Sequence, residues 1–328
     1  MKNIVVTVSP KHFEKFGIQF PEDWNVKMLD AGCTEDELIE ACADAEYLFT
    51  SSDFTVSRRV VENTNLKMIH VEGVGFNRID CDAAKEKGVF VCNNRAVNNI
   101  AVAEHTIGLI LAAQRRTALV DRQIHEIGYG ACKKEYLVVG EHELFGKTVG
   151  LIGIGAIGRE VAKRANAFGC NVIYYDAFPL KPEAEKELNV TQVTLDELIR
   201  QADIVSLHVP VLDSTFHMIN AERLSQMKRS AILVNTARGA IIDQKALCEA
   251  LEKGTIAAAA LDVVDPDEAP ADLDIFHLSE EGRKRLTLTP HVGGMTDEAF
   301  ERMLVNAIAN FERCARGERP VNIVNQLV

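Results

Sequence analysis

The sequence contains no run of apolar residues that reaches the roughly 18 needed for a membrane helix, so no spanning segment is expected. It contains no block of like charge long enough to form a tail, and Lys and Arg do not cluster beyond short pairs. With a net charge of −12, that pattern speaks against a nucleic acid or an anionic membrane as partner. The eight cysteines are scattered and none forms a C-x-x-C pair, so neither a zinc site nor a redox motif is indicated and no metal is expected. Several lie in apolar runs, where a free thiol behaves as a small hydrophobe, which suits a reducing compartment. No signal peptide is read ahead of the first apolar strand, and a cytoplasmic location is expected. Internal repeats and low-complexity segments are also missing.

What is present is a soluble, globular composition, 47% hydrophobic and 26% charged, over 328 residues, a length that favours two domains of ordinary size. The most informative stretch is 148–176. An apolar strand runs into Gly153-Ile-Gly155-Ala-Ile-Gly158, a helical stretch follows, and a second strand ends at Asp176. Each glycine has a task in holding a dinucleotide: Gly153 for the tight turn, Gly155 for close approach of a pyrophosphate, Gly158 for helix–strand packing. Free N–H groups at the helix start face the phosphates. Asp176, 18 residues beyond Gly158, is placed to hold the adenosine ribose 2′-OH. A lone Gly-x-Gly-x-x-Gly is only a glycine-rich turn. Strand, helix, second strand and acid in register make it a dinucleotide site.

The first hundred or so residues alternate short apolar strands (4–8, 26–29, 47–50, 68–71 and 90–92) with helices (35–43, 57–63 and 81–87), which implies a parallel sheet covered on both faces. A long apolar helix is expected at 97–120. The later series has strands at 204–209, 231–235, 258–262 and 287–289 and helices at 195–200, 220–226 and 244–253. A last helix at 296–316 is not needed to complete the cofactor domain, so it is expected to return to the first. The expected fold is α/β, with two Rossmann-like domains of parallel sheet: a discontinuous, flavodoxin-like substrate domain at 1–98 and 292–328, and an NAD-binding domain at 99–291.

Hydride transfer needs groups beyond the cofactor site, and open α/β sheets place ligands at strand ends. Arg238 follows a buried strand and precedes a glycine; its planar fork suits a carboxylate bidentately, and a surface salt bridge is the other reading. His291, between Pro290 and a Gly-Gly turn, can give or take the accompanying proton, or be a hydrogen-bonded structural histidine. Asp267 and Glu268 follow another strand. A carboxylate there can fix an imidazole tautomer, although an acidic loop is usually only solvated.

The glycine fingerprint, Asn-Thr-Ala-Arg238-Gly, Ala-Leu-Asp262-Val-Val-Asp-Pro-Asp267 and Thr-Pro-His291-Val-Gly-Gly together resemble the D-isomer-specific 2-hydroxyacid dehydrogenase family, over essentially the whole chain. Glu72-Gly-Val-Gly-Phe-Asn-Arg-Ile-Asp80 resembles its substrate loop, and 98–104 the entry to its long helix. The resemblance implies an NAD-dependent enzyme acting on a small 2-hydroxy or 2-oxo acid in the cleft between domains, of the hydroxypyruvate/glyoxylate-reductase or phosphoglycerate-dehydrogenase kind. Arg238 would clamp the carboxylate and carbonyl. His291 would be the acid/base, paired with a carboxylate. Val74 and Gly75 would bind the substrate carboxylate through their backbone. Ala156 and Ile157 would meet the pyrophosphate and Val209 the adenosine. Thr236 and Asp262 would lie near the nicotinamide, with Ala237, Gly293 and Gly294 also on the cofactor.

The chain departs from the family pattern in places. Counting from Asp262, the catalytic glutamate falls on Asp267, one methylene shorter, with Glu268 adjacent as the alternative. Ala156 stands where arginine is frequent. The segment 50–53 lacks the arginine common in phosphoglycerate-using members, and Glu72 adds negative charge near an anionic substrate. Longer members append a regulatory domain for which no room is expected here. Asp176 would repel a 2′-phosphate, and Lys181 is the nearest cation after it, so NAD is expected over NADP. The family usually dimerises, and 119–143 is long enough to be the arm, so a homodimer is expected. The rival reading is a co-repressor-like interaction protein that senses NAD(H).

Overall fold

A strand covered on both faces reads as a continuous apolar run rather than an alternation, and the central strands of this chain read that way. The computed structural model describes residues 1–327 and divides the chain into two units, Met1–Asn98 with Met295–Val328, and Asn99–Gly294. The first unit begins with β1 (Lys2–Val6), α1 (Pro10–Phe16), β2 (Trp24–Met28), α2 (Glu35–Ala41), β3 (Tyr47–Thr50), α3 (Arg58–Glu62), β4 (Met68–Val71), α4 (Cys81–Glu86) and β5 (Phe90–Cys92). Its strands form one parallel sheet in the flavodoxin-like order β2-β1-β3-β4-β5. Because successive residues point to opposite faces, Val5, Leu48 and Ile69 pack with Leu38 of α2, Val60 of α3 and Ala83 of α4. Ile4, Val6, Tyr47 and Phe49 form the other face.

The second unit runs α5 (Asn99–Gln114), α6 (Thr117–Ile127), α7 (Tyr129–Val139), β6 (Thr148–Ile152), α8 (Ala156–Ala167), β7 (Asn171–Tyr175), α9 (Pro182–Leu188), β8 (Thr191–Gln192), α10 (Leu195–Gln201), β9 (Ile204–Leu207), α11 (Ala221–Gln226), β10 (Ile232–Asn235), α12 (Gln244–Lys253), β11 (Ala258–Leu261), α13 (Glu280–Lys284) and β12 (Leu286–Leu288). All seven strands are parallel, in the order β12-β11-β10-β9-β6-β7-β8. The chain winds outward from β6 to β8 and returns to β9 on the other side of β6. The crevice at that reversal is where doubly wound sheets take their ligands. One face packs on α5 and α8 through Val149, Leu151, Ile204 and Val234; the other packs on α10, α11 and α12 through Ile152, Val205, Leu207 and Leu233.

The single helix expected at 97–120 is in fact two. Arg116 takes a left-handed conformation (φ 49°) that ends α5 and starts α6. Its guanidinium is held by Glu141 at 2.8 and 3.1 Å and by the Gly140 carbonyl, which closes α6 and α7 into a hairpin. The helix at 182–188 and the short strand at 191–192 are also additions to the sequence reading.

After the second unit, α14 (Asp297–Ala315) returns to the first sheet. Thr296 caps its N-terminus, and Phe311 is fully buried among Trp24, Tyr47, Phe49 and His70. The Asn325 side chain then pairs with the β5 edge, accepting from Val91 N–H and donating to the Val89 carbonyl. The return point falls at Met295, not 292, because the N–H groups of Val292 and Gly293 donate to Asp262 and keep this turn in the second unit. Among the described residues no helix is long and apolar enough to cross a membrane.

Candidate active site

The glycine turn follows β6. Gly153 has φ +100°, and a Cβ there would stand 2.5 Å from the His208 carbonyl oxygen, so only glycine fits. A Cβ on Gly158 would collide with the Gly153 carbonyl. Gly155 is the exception: a Cβ there would meet nothing within 4 Å, so open space lies over the backbone. Gly155 and Ala156 are exposed, Ile157 is half-buried, and α8 starts with no side-chain cap. The N–H groups of the first turn of this twelve-residue helix therefore lack intrahelical acceptors and face an open crevice, which fits a pyrophosphate.

Asp176 follows β7. Its carboxylate accepts from Ile154 N–H and Phe178 N–H, each at 2.8 Å, and is only partly buried. Both oxygens keep a lone pair for a ribose hydroxyl. Half-buried Val209 follows β9. Its neighbour His208 bonds Ser206 at 2.9 Å, and desolvation pushes that imidazole down to about 4, which keeps the ring neutral.

Arg238 follows β10. Asn235 shapes the turn: its side chain accepts from Ala237 N–H and donates to the Arg238 carbonyl. The Arg238 guanidinium donates to the Ala237 carbonyl at 2.7 Å, and no ion pair to it is found among the described residues. Gly239 lies so close to the backbone of Val264 and Asp265 that a Cβ would overlap both. The Gln244 amide makes a two-way bridge to the same loop, accepting from Asp265 N–H at 3.1 Å and donating to the Asp265 carbonyl at 3.2 Å.

That loop carries Asp267, and both its carboxylate oxygens lie 2.9 Å from Nδ1 of His291, which follows β12. The carboxylate on the histidine is thus that of Asp267; Glu268 is its exposed neighbour. The pair is 40% and 52% exposed, open enough to meet a substrate. An apolar cavity of about 370 Å³ adjoins it, lined by Val264, Ala269, Phe276, Leu288 and Pro290.

Asp262 lies beneath, 2% exposed. Burial alone would raise its pKa. Hydrogen bonds from His105, Thr289 and the N–H groups of Gly293 and Val292 outweigh burial and hold it at about 2. A Cβ on Gly293 would stand 2.8 Å from the same carboxylate, and half-buried Gly294 completes the turn. Thr236 is buried and shares its hydroxyl with Thr106 at 2.9 Å. Asp262 and Thr236 thus hold the frame from inside. His105, Thr289, Asn235 and Gln244 are positioning residues that sequence reading missed; His105 stands one residue past the segment 98–104, and its partner lies 184 residues away.

Val74 and Gly75 belong to the first unit, at the C-terminal edge of its sheet. Asn93 and Asn94 hold the loop by donating to the carbonyls of Val74, Gly73 and Glu72. Among the described residues, no group of three or more His, Cys, Asp or Glu is placed to hold a metal ion.

A doubly wound parallel sheet with a glycine turn at its reversal is a Rossmann domain. Its C-terminal edge carries, in spatial order, His291, Asp262 with Asp267, Arg238, Val209, Gly153 and Asp176. A family model described as D-isomer specific 2-hydroxyacid dehydrogenase, NAD binding domain, matches residues 107–293. The chain is 39% identical over 99% of its length to a D-3-phosphoglycerate dehydrogenase of Methanocaldococcus jannaschii, of which it spans 60%. It is 42% identical to a hydroxypyruvate reductase of Thermotoga maritima, covering 84% of this chain and 86% of that one. The NAD-complexed crystal structure of a D-isomer specific 2-hydroxyacid dehydrogenase from Lactobacillus delbrueckii ssp. bulgaricus superposes with a TM-score of 0.80 at 28% identity, covering 99% of this chain and all of that one. The chain belongs to the D-isomer specific 2-hydroxyacid dehydrogenase family.

Proposed function

We propose that the chain is an NAD(H)-dependent oxidoreductase that interconverts a small D-2-hydroxy acid and its 2-oxo acid. The observation that carries this reading is the Asp267–His291 pair, on the same sheet edge as Arg238 and the uncapped turn of α8. A bound nicotinamide supplies or accepts the hydride. Arg238, with no acidic partner of its own among the described residues, clamps the carboxylate and polarises the carbonyl. Asp267 holds the Nδ1–H tautomer of His291 and balances the imidazolium charge. Nε2 of His291 then gives its proton to the carbonyl oxygen on reduction and takes it back on oxidation. Val74 and Gly75 add backbone donors to the substrate carboxylate.

Asp176 supports NAD over NADP, because its charge opposes a 2′-phosphate and no arginine follows it in 177–180. A homodimer is supported by the α6–α7 hairpin. Only Cys132 of its two helices is buried, while Tyr129, Leu137 and Val138 are 70%, 76% and 87% exposed, an apolar surface suited to a second copy.

A panel of glyoxylate, pyruvate, hydroxypyruvate and phosphohydroxypyruvate at fixed NADH tests the reading, with Arg238→Ala as control. NADH oxidation with at least one compound, lost in the variant, is expected. No oxidation with any of them overturns it in favour of an NAD(H)-responsive interaction protein.

A further inference from the structure

Glu72 follows β4 directly, and its residue is only 7% exposed. A lone buried carboxylate is costly, and here His12 of α1 answers it, with Nδ1 2.9 Å from Oε1. The ring is steadied from α14 by Phe300, with centroids 4.5 Å apart. The hydrogen bond that His12 gives to Glu72 raises the His12 pKa against the opposing effect of burial. Lys15, the neighbouring cation on α1, opposes it weakly and is itself paired with Asp297 of α14 at 2.5 Å. With Nδ1 engaged, Nε2 is the ring nitrogen left over, a donor when the imidazole is protonated.

The pair stands at the C-terminal edge of the first sheet, where the loops after β1, β3 and β4 gather. The Glu72 N–H donates to the Thr50 carbonyl at 2.7 Å, and Gly73 sits against the Ser52 hydroxyl. The next residues, 73–75, are those assigned to the substrate carboxylate. We propose that His12 and Glu72 are specificity-determining residues, a charge-compensated pair that favours 2-oxo acids with an uncharged, hydroxyl-bearing far end over those ending in phosphate. This deepens the reading above and rests on it.

The chemistry is that of matching. A hydroxymethyl group is both donor and acceptor, and meets a carboxylate acceptor and an imidazole N–H donor. A phosphate brings close to two negative charges and only acceptors. It would meet the Glu72 carboxylate, an acceptor to which it has no hydrogen to donate and a charge that repels it.

The test measures kcat/KM for hydroxypyruvate and phosphohydroxypyruvate in the full chain with NADH, in three forms. Wild type should prefer hydroxypyruvate by about 100-fold. Glu72→Gln removes the negative charge and should cut that ratio about tenfold, through KM of the phosphorylated compound. His12→Gln leaves the carboxylate uncompensated and should raise the ratio by a similar factor. A merely structural role would lower both substrates together and leave the ratio alone. His12 is on the half-exposed side of the pair, so His12→Gln carries the test if Glu72→Gln fails to fold. A ratio that holds, or moves in the same direction in both variants, overturns the proposal alone. Wild type that oxidises NADH with glyoxylate or pyruvate but with neither of these two compounds also overturns the proposal alone, whereas wild type that oxidises NADH with none of the four overturns the reading of the site and the proposal with it.

Discussion

Nδ1 of His291 is equidistant, at 2.9 Å, from the two carboxylate oxygens of Asp267. With Nδ1 engaged there, Nε2 is the nitrogen left for the proposed proton transfer. Acid/base catalysis by a positioned histidine is worth about 10²–10⁴-fold. His291→Asn should forfeit that factor in kcat, and Asp267→Asn about 10–100-fold of it, while Asp267→Glu recovers most. Steady-state kinetics on Glu268→Gln provides the comparison: a loss as large as that of Asp267→Asn would reassign the partner.

Arg238 should behave as a bidentate clamp. Its replacement by Ala removes charge-assisted hydrogen bonds worth about 3 kcal/mol, or about 100-fold in kcat/KM. Arg238→Lys should recover little, because a point charge does not reproduce the fork. Equal kcat/KM in Lys and wild type would show that only charge matters.

Asp176 has two tasks, and its variants should separate them. Asp176→Asn keeps an acceptor for Ile154 N–H or Phe178 N–H but loses the charge. The preference for NADH over NADPH should fall about tenfold, as expected for removing one repulsive charge near a phosphate. Competitive binding of the two cofactors reads this directly, and an enzyme that already prefers NADPH contradicts it.

Asp262 ties stability to pH. A carboxyl held at about 2 instead of 3.8 stores folding free energy on the order of 2 kcal/mol. The folded pKa is the lower one, so this stability is present above the unfolded value near 4 and is lost as pH falls toward 2. Asp262→Asn should therefore lower the urea midpoint at pH 7, and the gap from wild type should close in acid. A gap independent of pH would mean that the hydrogen bonds, not the charge, carry the effect.

Much of this was legible in one dimension because local constraints write themselves locally. The Gly153–Gly158 spacing, the apolar strands and the acid at Asp176 each announce a backbone need within a few residues. The strand expected at 4–8 lies two residues earlier, at 2–6, and the one expected at 204–209 stops at 207, because the residues at both C-terminal ends leave the sheet to build loops. The break at Arg116 was hidden, since nothing in an apolar helix signals that one arginine will turn left-handed to meet Glu141, 25 residues on. Partners far apart in sequence were also invisible: His12 meets Glu72 60 residues away, and His105 meets Thr289. Glu72 read as an unwelcome charge until its imidazole was placed beside it.

The contact of Gly239 with the backbone of Val264 and Asp265 joins what are formally two loops. One carries Arg238, the proposed substrate clamp, the other carries Asp267 on the histidine, and Gln244 fastens them a second time. They form one mechanical part. Grip and proton handling therefore cannot be tuned separately by moving either loop: a side chain at 239 that pushes the strand ends apart would weaken substrate hold and disturb the imidazole in a single displacement. Divergence toward new substrates would then have to act elsewhere, and the His12–Glu72 pair at the edge of the first sheet is the place proposed for it.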